Sequence, residues 1–432
     1  MDKDAQHHLI HILDKNIHPL TDNYSSLLDE IGDKRFVMIG EATHGTYEFY
    51  QTRIEITQRL IKEKGFMAVA IEGDWPSAYG IHRFIKGKGN RTDWENALQD
   101  FNRFPIWMWR NSTIPPFIQW LRRHNDSINS AREKIGFYGL DIYSLQSSTH
   151  AVIDYLMNVD PDAAERAKSR YACFDHINID PQLYGYLTNL GIKKSCIDEA
   201  ITVLVELQHN AFEYLGRDGI TAEDEYFFAT QNARVVKDAE IYYRSMFEGH
   251  VSSWNVRDHH MAETLNTLAA HLENNFKKPA KIVIWAHNSH VGDARATEMS
   301  ERGEINIGQL LREQYDQHVY SIGFSTYDGY VTAASDWDQP AERKKINPGL
   351  QGSYEDLFHQ LRSNNFILFL NHNLSLEHYL KIPRLQRAIG VIYRPETERM
   401  SHYFFTHLTY QFDCIIHFDN TNEVEPLEVI TV

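Results

Sequence analysis

The chain has only 3 cysteines in 432 residues, placed far apart as Cys173, Cys196 and Cys414. So few thiols, none in a CxxC pair, exclude a disulfide scaffold and zinc–thiolate ligand sets. They fit a reducing, cytoplasmic compartment in which each cysteine is a small buried hydrophobe. Positive charge is also scarce. With 43 Lys and Arg against 59 Asp and Glu, the formal net charge is −16. No nucleic-acid partner is expected, because neutralising phosphates requires a basic footprint. No apolar run approaches the roughly 20 residues a membrane helix needs, so no membrane partner is expected either. The amino terminus carries acids and lacks an apolar core, unlike a secretory signal. Three nucleotide and nucleophile signatures are missing: GxGxxG after the first strand, GxxxxGK[ST], and the GxSxG elbow that presents a serine.

What is present is a 42% hydrophobic, 24% charged composition typical of a folded globular chain, with 23 His, as many as Tyr. Short apolar runs at 36–40, 67–72, 135–141, 281–286, 319–325, 365–370 and 412–418 alternate with long helical stretches. Near-continuous apolar strands imply burial on both faces. The expected fold is therefore α/β, a mostly parallel central sheet flanked by helices. Tyr47, Tyr50, Ile54 and Ile61 recur at helical spacing and mark a crossover helix. Further helices are expected after Pro76 and after Pro115-Pro116. Residues 145–255 contain no convincing strand. They read as a large helical insertion that forms part of a cleft within a single domain over 1–432, since no Gly/Ser/Pro-rich linker bounds them.

Polar residues suited to acid–base work stand directly after the apolar runs: Glu41 and His44 after the first, Glu72, Asp74 and Trp75 after the second, Asp141 after the third, and His287 and His290 after the fourth. Ligands of open parallel sheets bind at the carboxyl ends of strands. The turn GEATHG at 40–45 holds His44 at the mouth of the next helix, with Gly40 and Gly45 permitting a tight or left-handed backbone. Arg53 lies two turns into that helix, long enough to reach back to the sheet edge, with a solvated salt bridge as the plainer alternative. An aromatic cluster of Phe101, Phe104, Trp107 and Trp109 reads as core first and as the lining of an apolar cleft second.

GEATHG followed by Glu48 and Arg53, then AIEGDW at 70–75, GLD at 139–141, NVRDHHMAE at 255–263 and WAHNSHVGD at 285–293, resembles the erythromycin esterase family, in the family's order and across roughly residues 30–420. The resemblance implies a macrolide-esterase-like hydrolase without a serine nucleophile, and with it a part in antibiotic resistance. Some family members carry other labels, so a macrolide substrate does not follow from membership. Matched by position, the resemblance makes His44 the base, Glu41 and Glu72 its supporting carboxylates, Arg53 the first-helix arginine, and His287 and His290 the later histidines. Arg257 falls in the RD motif. Asp74, Trp75, Asp141 and Arg257 are expected to contact substrate.

Without a serine or cysteine nucleophile, ester hydrolysis needs a directly activated water. Imidazole titrates near working pH, which suits His44 as general base. A carboxylate on its other ring nitrogen would fix the tautomer; Glu41 and Glu72 both qualify. Arg53, His287, His290 or helix N–H groups are the candidates for stabilising the oxyanion. The expected function is a hydrolase cleaving a small-molecule ester, a macrolide lactone among the candidates, with no metal and no cofactor. Two alternatives remain open. His44, His287, His290, Glu41 and Glu72 include enough ligands for zinc or manganese, although no HExxH motif occurs. The same cleft also suits a non-catalytic binding protein.

Overall fold

Apolar runs flanked by turn residues become strands in the computed structural model, which describes residues 3–20, 23–88, 93–177, 181–216, 219–371 and 373–428. In chain order these are β1 (Ile17–Pro19), β2 (Phe36–Ile39), β3 (Ala68–Asp74), β4 (Gly136–Asp141), β5 (Ile282–Trp285), β6 (Val319–Ala333), β7 (Glu342–Ile346), β8 (Asn365–Phe369), β9 (Arg384–Arg387), β10 (Tyr403–Thr406) and β11 (Cys414–Thr421). All seven expected runs are among them. The four additional strands are short, and β7, with the sequence ERKKI, is mostly exposed, so hydrophobic patterning does not mark it. The fold is α/β, with a large central sheet flanked by many helices.

The chain divides into two units: Met1–Val69 with Phe101–Leu121 and Lys281–Val432, and Ala70–Asp100 with Arg122–Ala280. In the first unit the strand order is β1-β8-β11-β6-β2-β5, with β7 paired to the far half of β6. The centre is parallel: β11 to β6, β6 to β2 and β2 to β5. The antiparallel pairs are β8 on β11, β1 on β8 and β7 on β6. The register sets Ile39 beside both Trp285 and Ile322, so the chain leaves β2 and β5 at the same level. Every residue of β2 and β5 is buried, as expected for strands covered on both faces. Helix α1 (Tyr47–Lys64) follows β2. Tyr50, Ile54 and Ile61 are buried, while Tyr47 is exposed. The helix ends at Gly65 in the left-handed region (φ 72°), with Lys62 and Lys64 in its last turn, where cations favour the dipole.

In the second unit β3 lies beside β4. Gly139 makes this approach possible, because a Cβ there would stand 2.4 Å from the Gly73 carbonyl oxygen. Helix α2 (Trp75–Lys86) starts with Pro76 in its first turn. Among the described residues no strand occurs between β4 and β5. Two 27-residue helices, α3 (Gly219–Ser245) and α4 (His250–Phe276), dominate that stretch, and α4 runs through position 255. Asp238 meets His260, Arg234 meets Glu263 and Phe227 stacks on His271. Partner numbers rise as the others fall, so the two helices run antiparallel. A core of Leu145, Val152, Leu156, Val203, Leu207 and Val236, among others, fills the helical unit.

One expectation is corrected. Cys173 and Cys196 are not separate thiols but form a disulfide, with Cα atoms 6.1 Å apart and a sequence separation of 23. Spacing in sequence does not reveal that helical packing brings them together. Cys414 is free and buried. No helix among the described residues is long and apolar enough to cross a membrane.

Candidate active site

The turn after β2 is built by close approach. A Cβ on Gly40 would stand 2.2 Å from Asn288 Oδ1, and one on Gly45 only 1.9 Å from the Thr332 carbonyl oxygen. Neither glycine takes a positive φ. Both are required by crowding, so of the tight or left-handed backbone the sequence allowed, the left-handed form is not taken. Four segments of the first unit hold the turn. Ile389 N donates to Ala42 O, Thr332 N and Val424 N both donate to Gly45 O, and Asn288 N donates to Glu41 O at 2.9 Å. Asn288 also exchanges two hydrogen bonds with the Phe324 backbone. It therefore ties the ends of β2 and β5 to the interior of β6. Its position between the two histidines of WAHNSH was visible in the sequence, but its function as a backbone mimic was not.

At this turn Glu41, His44, Arg53 and His287 come together. His44 Nδ1 lies 2.9 Å from Glu41 Oε1. The other carboxylate oxygen lies 2.7 Å from Arg53 Nη2, and both side chains are at most 2% exposed. Arg53 does reach back to the sheet edge. Its guanidinium lies over the rings of Tyr50 and Trp285, at 4.5 and 5.0 Å, and Trp285 is fixed in turn by Thr57. A buried arginine so enclosed acts on Glu41. The His287 ring is 4.8 Å from that of His44. His290 is buried one turn on, in the short helix Asn288–Val291.

The partners of the two rings call for opposite tautomers. His44 Nδ1 faces an acceptor-only carboxylate, so it bears the proton and Nε2 keeps its lone pair. His287 Nδ1 accepts from the backbone N–H of Ser289 at 3.3 Å and lies 2.8 Å from the Ser289 hydroxyl. In the neutral ring that nitrogen holds the lone pair, and Nε2 carries the hydrogen. One ring thus presents a lone pair at Nε2 and its neighbour a hydrogen. Ser289 was not singled out as the residue that sets this.

The second unit brings together Glu72, Asp141 and Arg257. Arg257 donates to both oxygens of Asp141, at 2.9 and 2.8 Å, and to Glu72 Oε1 at 2.6 Å. It also lies 5.0 Å over the Tyr143 ring. Burial acts to lower the Arg257 pKa, but Asp141, Tyr143 and Glu72 outweigh it and raise the value well above that of an ordinary arginine. Asp74 is buried at the start of α2. Trp75 is only 3% exposed, stacks with Tyr138 and Phe228, and donates its indole N–H to Phe228 O at 3.2 Å. Among the described residues, no three His, Cys, Asp or Glu side chains are grouped so as to hold a metal ion.

The family profile described as Erythromycin esterase matches residues 61–421. The erythromycin esterase type II of Escherichia coli is 24% identical over 409 residues, covering 90% of this chain and 93% of that protein. The putative hydrolase YbfO of Bacillus subtilis is 21% identical over 341 residues, covering 75% and 71%. Among solved structures, a succinoglycan biosynthesis protein superposes with a TM-score of 0.79 at 22% identity, over 99% of this chain and 100% of that one. A mutant of the erythromycin esterase EreC in its open conformation superposes with a TM-score of 0.68 at 14% identity, over 94% and 95%. The structural likenesses establish the fold.

Proposed function

The chain belongs to the erythromycin esterase family, and we propose that it is a metal-independent carboxylic ester hydrolase that activates water directly on His44. The observation that carries this reading is the 2.9 Å contact of His44 Nδ1 with Glu41, which turns a lone pair on Nε2 away from the carboxylate. That nitrogen takes a proton from water as the water oxygen bonds to the ester carbonyl carbon. The carbonyl oxygen becomes an oxyanion, and His287 Nε2–H, on the ring 4.8 Å from that of His44, donates to it. On collapse the bond to the alcohol oxygen breaks, and the proton held by His44 passes to that oxygen. Arg53 holds the Glu41 carboxylate in place.

The partner in this reading is a small-molecule ester, not a nucleic acid or a membrane. In the second unit Asp141 and Arg257 form an ion pair rather than standing as separate charges. A macrolide lactone is one candidate, and its hydrolysis would confer antibiotic resistance. A cytoplasmic site of action belongs to the same reading. The Cys173–Cys196 bond weighs against it, because such bonds are rare in a reducing cytosol.

The test is mass spectrometry of a macrolide and a panel of aryl esters, looking for the gain of one water. We expect turnover by the wild type before and after chelation, and none by His44→Ala with an unchanged circular dichroism spectrum. Full turnover by His44→Ala would refute the base assignment. Loss of activity on chelation, restored by zinc or manganese, would establish a metal enzyme. Tight binding without turnover would establish a binding protein.

A further inference from the structure

Trp107 is 4% exposed, and its indole N–H finds no hydrogen-bond acceptor among the described residues. A buried tryptophan N–H ordinarily has a partner, because leaving it unmade forfeits the water it gave up. Trp75 and Trp285 follow that rule, donating to Phe228 O and Thr57 Oγ1. The exception lies in the aromatic segment at 101–109 that the catalytic reading leaves unused.

Two independent ties hold this segment against the His44 turn. The Tyr50 hydroxyl lies 3.0 Å from His44 O and 2.8 Å from Met108 O, so the carbonyls of both residues sit on one hydroxyl. The strip at 422–427 then runs along both segments. Tyr47 N donates to Asn422 O and Val424 N to Gly45 O, followed by Ser112 N to Glu425 O and Leu427 N to Arg110 O. Asn111 locks the backbone between them by donating to the carbonyls of Trp107 and Met108 at 3.1 and 3.0 Å. In the same segment the Phe101 ring lies 6.1 Å from that of Trp109.

We propose that the Trp107 indole N–H is a specificity-determining donor that receives a second acceptor oxygen of the ester, one on the acyl chain beyond the scissile carbonyl. The inference deepens the ester-hydrolase reading and rests on it. The substrate class it selects is an oxygen-bearing acyl group, such as an ether, hydroxyl or lactone-ring oxygen, in place of a plain hydrocarbon chain. A site built around a donor discriminates against a substrate that leaves the donor unmet.

The experiment compares p-nitrophenyl hexanoate with the analogue in which one acyl methylene is replaced by an ether oxygen, scanned along the chain, for wild type and Trp107→Phe. We expect the wild type to prefer one ether isomer by about 3- to 10-fold in kcat/KM, carried by KM, as one net hydrogen bond supplies. Trp107→Phe should lose that preference. Equal rates for all isomers in the wild type, or an undiminished preference in Trp107→Phe, would overturn the proposal while leaving the esterase reading intact. Turnover of no ester by the wild type would instead remove the esterase reading, and this inference with it. Should Trp107→Phe not fold, the indole ¹⁵N–¹H resonances of His44→Ala protein decide the matter, with the other seven tryptophans assigned by their own Phe variants in that background and Trp107 by elimination. The Trp107 resonance should move downfield with the ether ester and stay in place with hexanoate; a resonance unmoved at saturation by both refutes the proposal.

Discussion

Glu41 Oε1 stands 2.9 Å from His44 Nδ1, and the same carboxylate's Oε2 stands 2.7 Å from Arg53 Nη2. One buried group therefore orients the imidazole and neutralises an arginine that is 1% exposed. Replacing it with an isosteric amide breaks both relationships. Glu41→Gln offers His44 Nδ1 a donor as readily as an acceptor and no longer selects the tautomer, so kcat should fall on the order of 10³-fold with KM little changed. Arg53 becomes an uncompensated buried charge, which destabilises by about 3–5 kcal/mol. Glu41→Gln with Arg53→Met should recover part of the stability, read from urea unfolding, without recovering activity. If activity returned with stability, Glu41 would be serving packing alone.

The tautomer of His287 makes a separate prediction. As a neutral donor, it stabilises charge that appears only in the transition state. His287→Ala should therefore lower kcat by about 10²–10³-fold and leave KM nearly unchanged, the pattern of a lost oxyanion donor. Ser289→Ala keeps the backbone N–H on Nδ1 and should lose only a few-fold. Steady-state kinetics on a single ester check both. Equal effects of the two variants would mean that the hydroxyl, not the imidazole, is the active partner.

Burial pushes the His82 pKa well below its ordinary value, with Lys86 adding to the effect, and burial likewise lowers His417. Each folded value lies beneath the unfolded value of about 6.5. The unfolded chain thus binds more protons, and stability falls as pH drops from about 6.5 toward the folded value. Between pH 7 and 5 each such histidine removes at most about 2 kcal/mol. Urea unfolding at several pH values should show this acid sensitivity, with a shallower slope for His82→Gln. An unchanged slope would mean that His82 protonates equally in both states.

The parallel centre of the sheet and the grouping of Glu41, His44 and His287 were legible because they depend on local rules. Apolar runs buried on both faces make parallel strands, and such strands deliver polar residues at their carboxyl ends. The choice of Glu41 as the partner of His44 was not legible, since in sequence Glu41 and Glu72 stand alike at the carboxyl side of an apolar run. It depends on a side-chain rotamer and on Arg53 lying beneath it. Asn288 and Ser289 escaped for a similar reason. Both act on backbone groups distant in sequence or set a ring tautomer, and neither leaves a periodic trace. The polar strand β7 was missed because its pairing to β6 comes from backbone hydrogen bonds and not from hydrophobic burial.

Cys173 sits in a 3₁₀ turn, and Cys196 stands at the start of the helix Ile197–His209, so their bond closes a loop within the helical unit. The backbone N–H of Cys196 donates to the Tyr184 hydroxyl, which in turn donates to Glu240, a fully buried carboxylate also bound by Ser195. Loop closure of this length contributes about 3 kcal/mol in the chain-entropy account. The purified, unreduced protein should therefore titrate one thiol in guanidine, Cys414, and none when native, because Cys414 is buried. Dithiothreitol should lower the thermal midpoint, and Cys173→Ser should reproduce the lower midpoint and abolish the response to reductant. Three titratable thiols in guanidine would mean that the pair remains reduced, which would remove the objection to a cytosolic enzyme. One thiol in protein alkylated inside the cell before lysis would mean that the bond exists where the protein works.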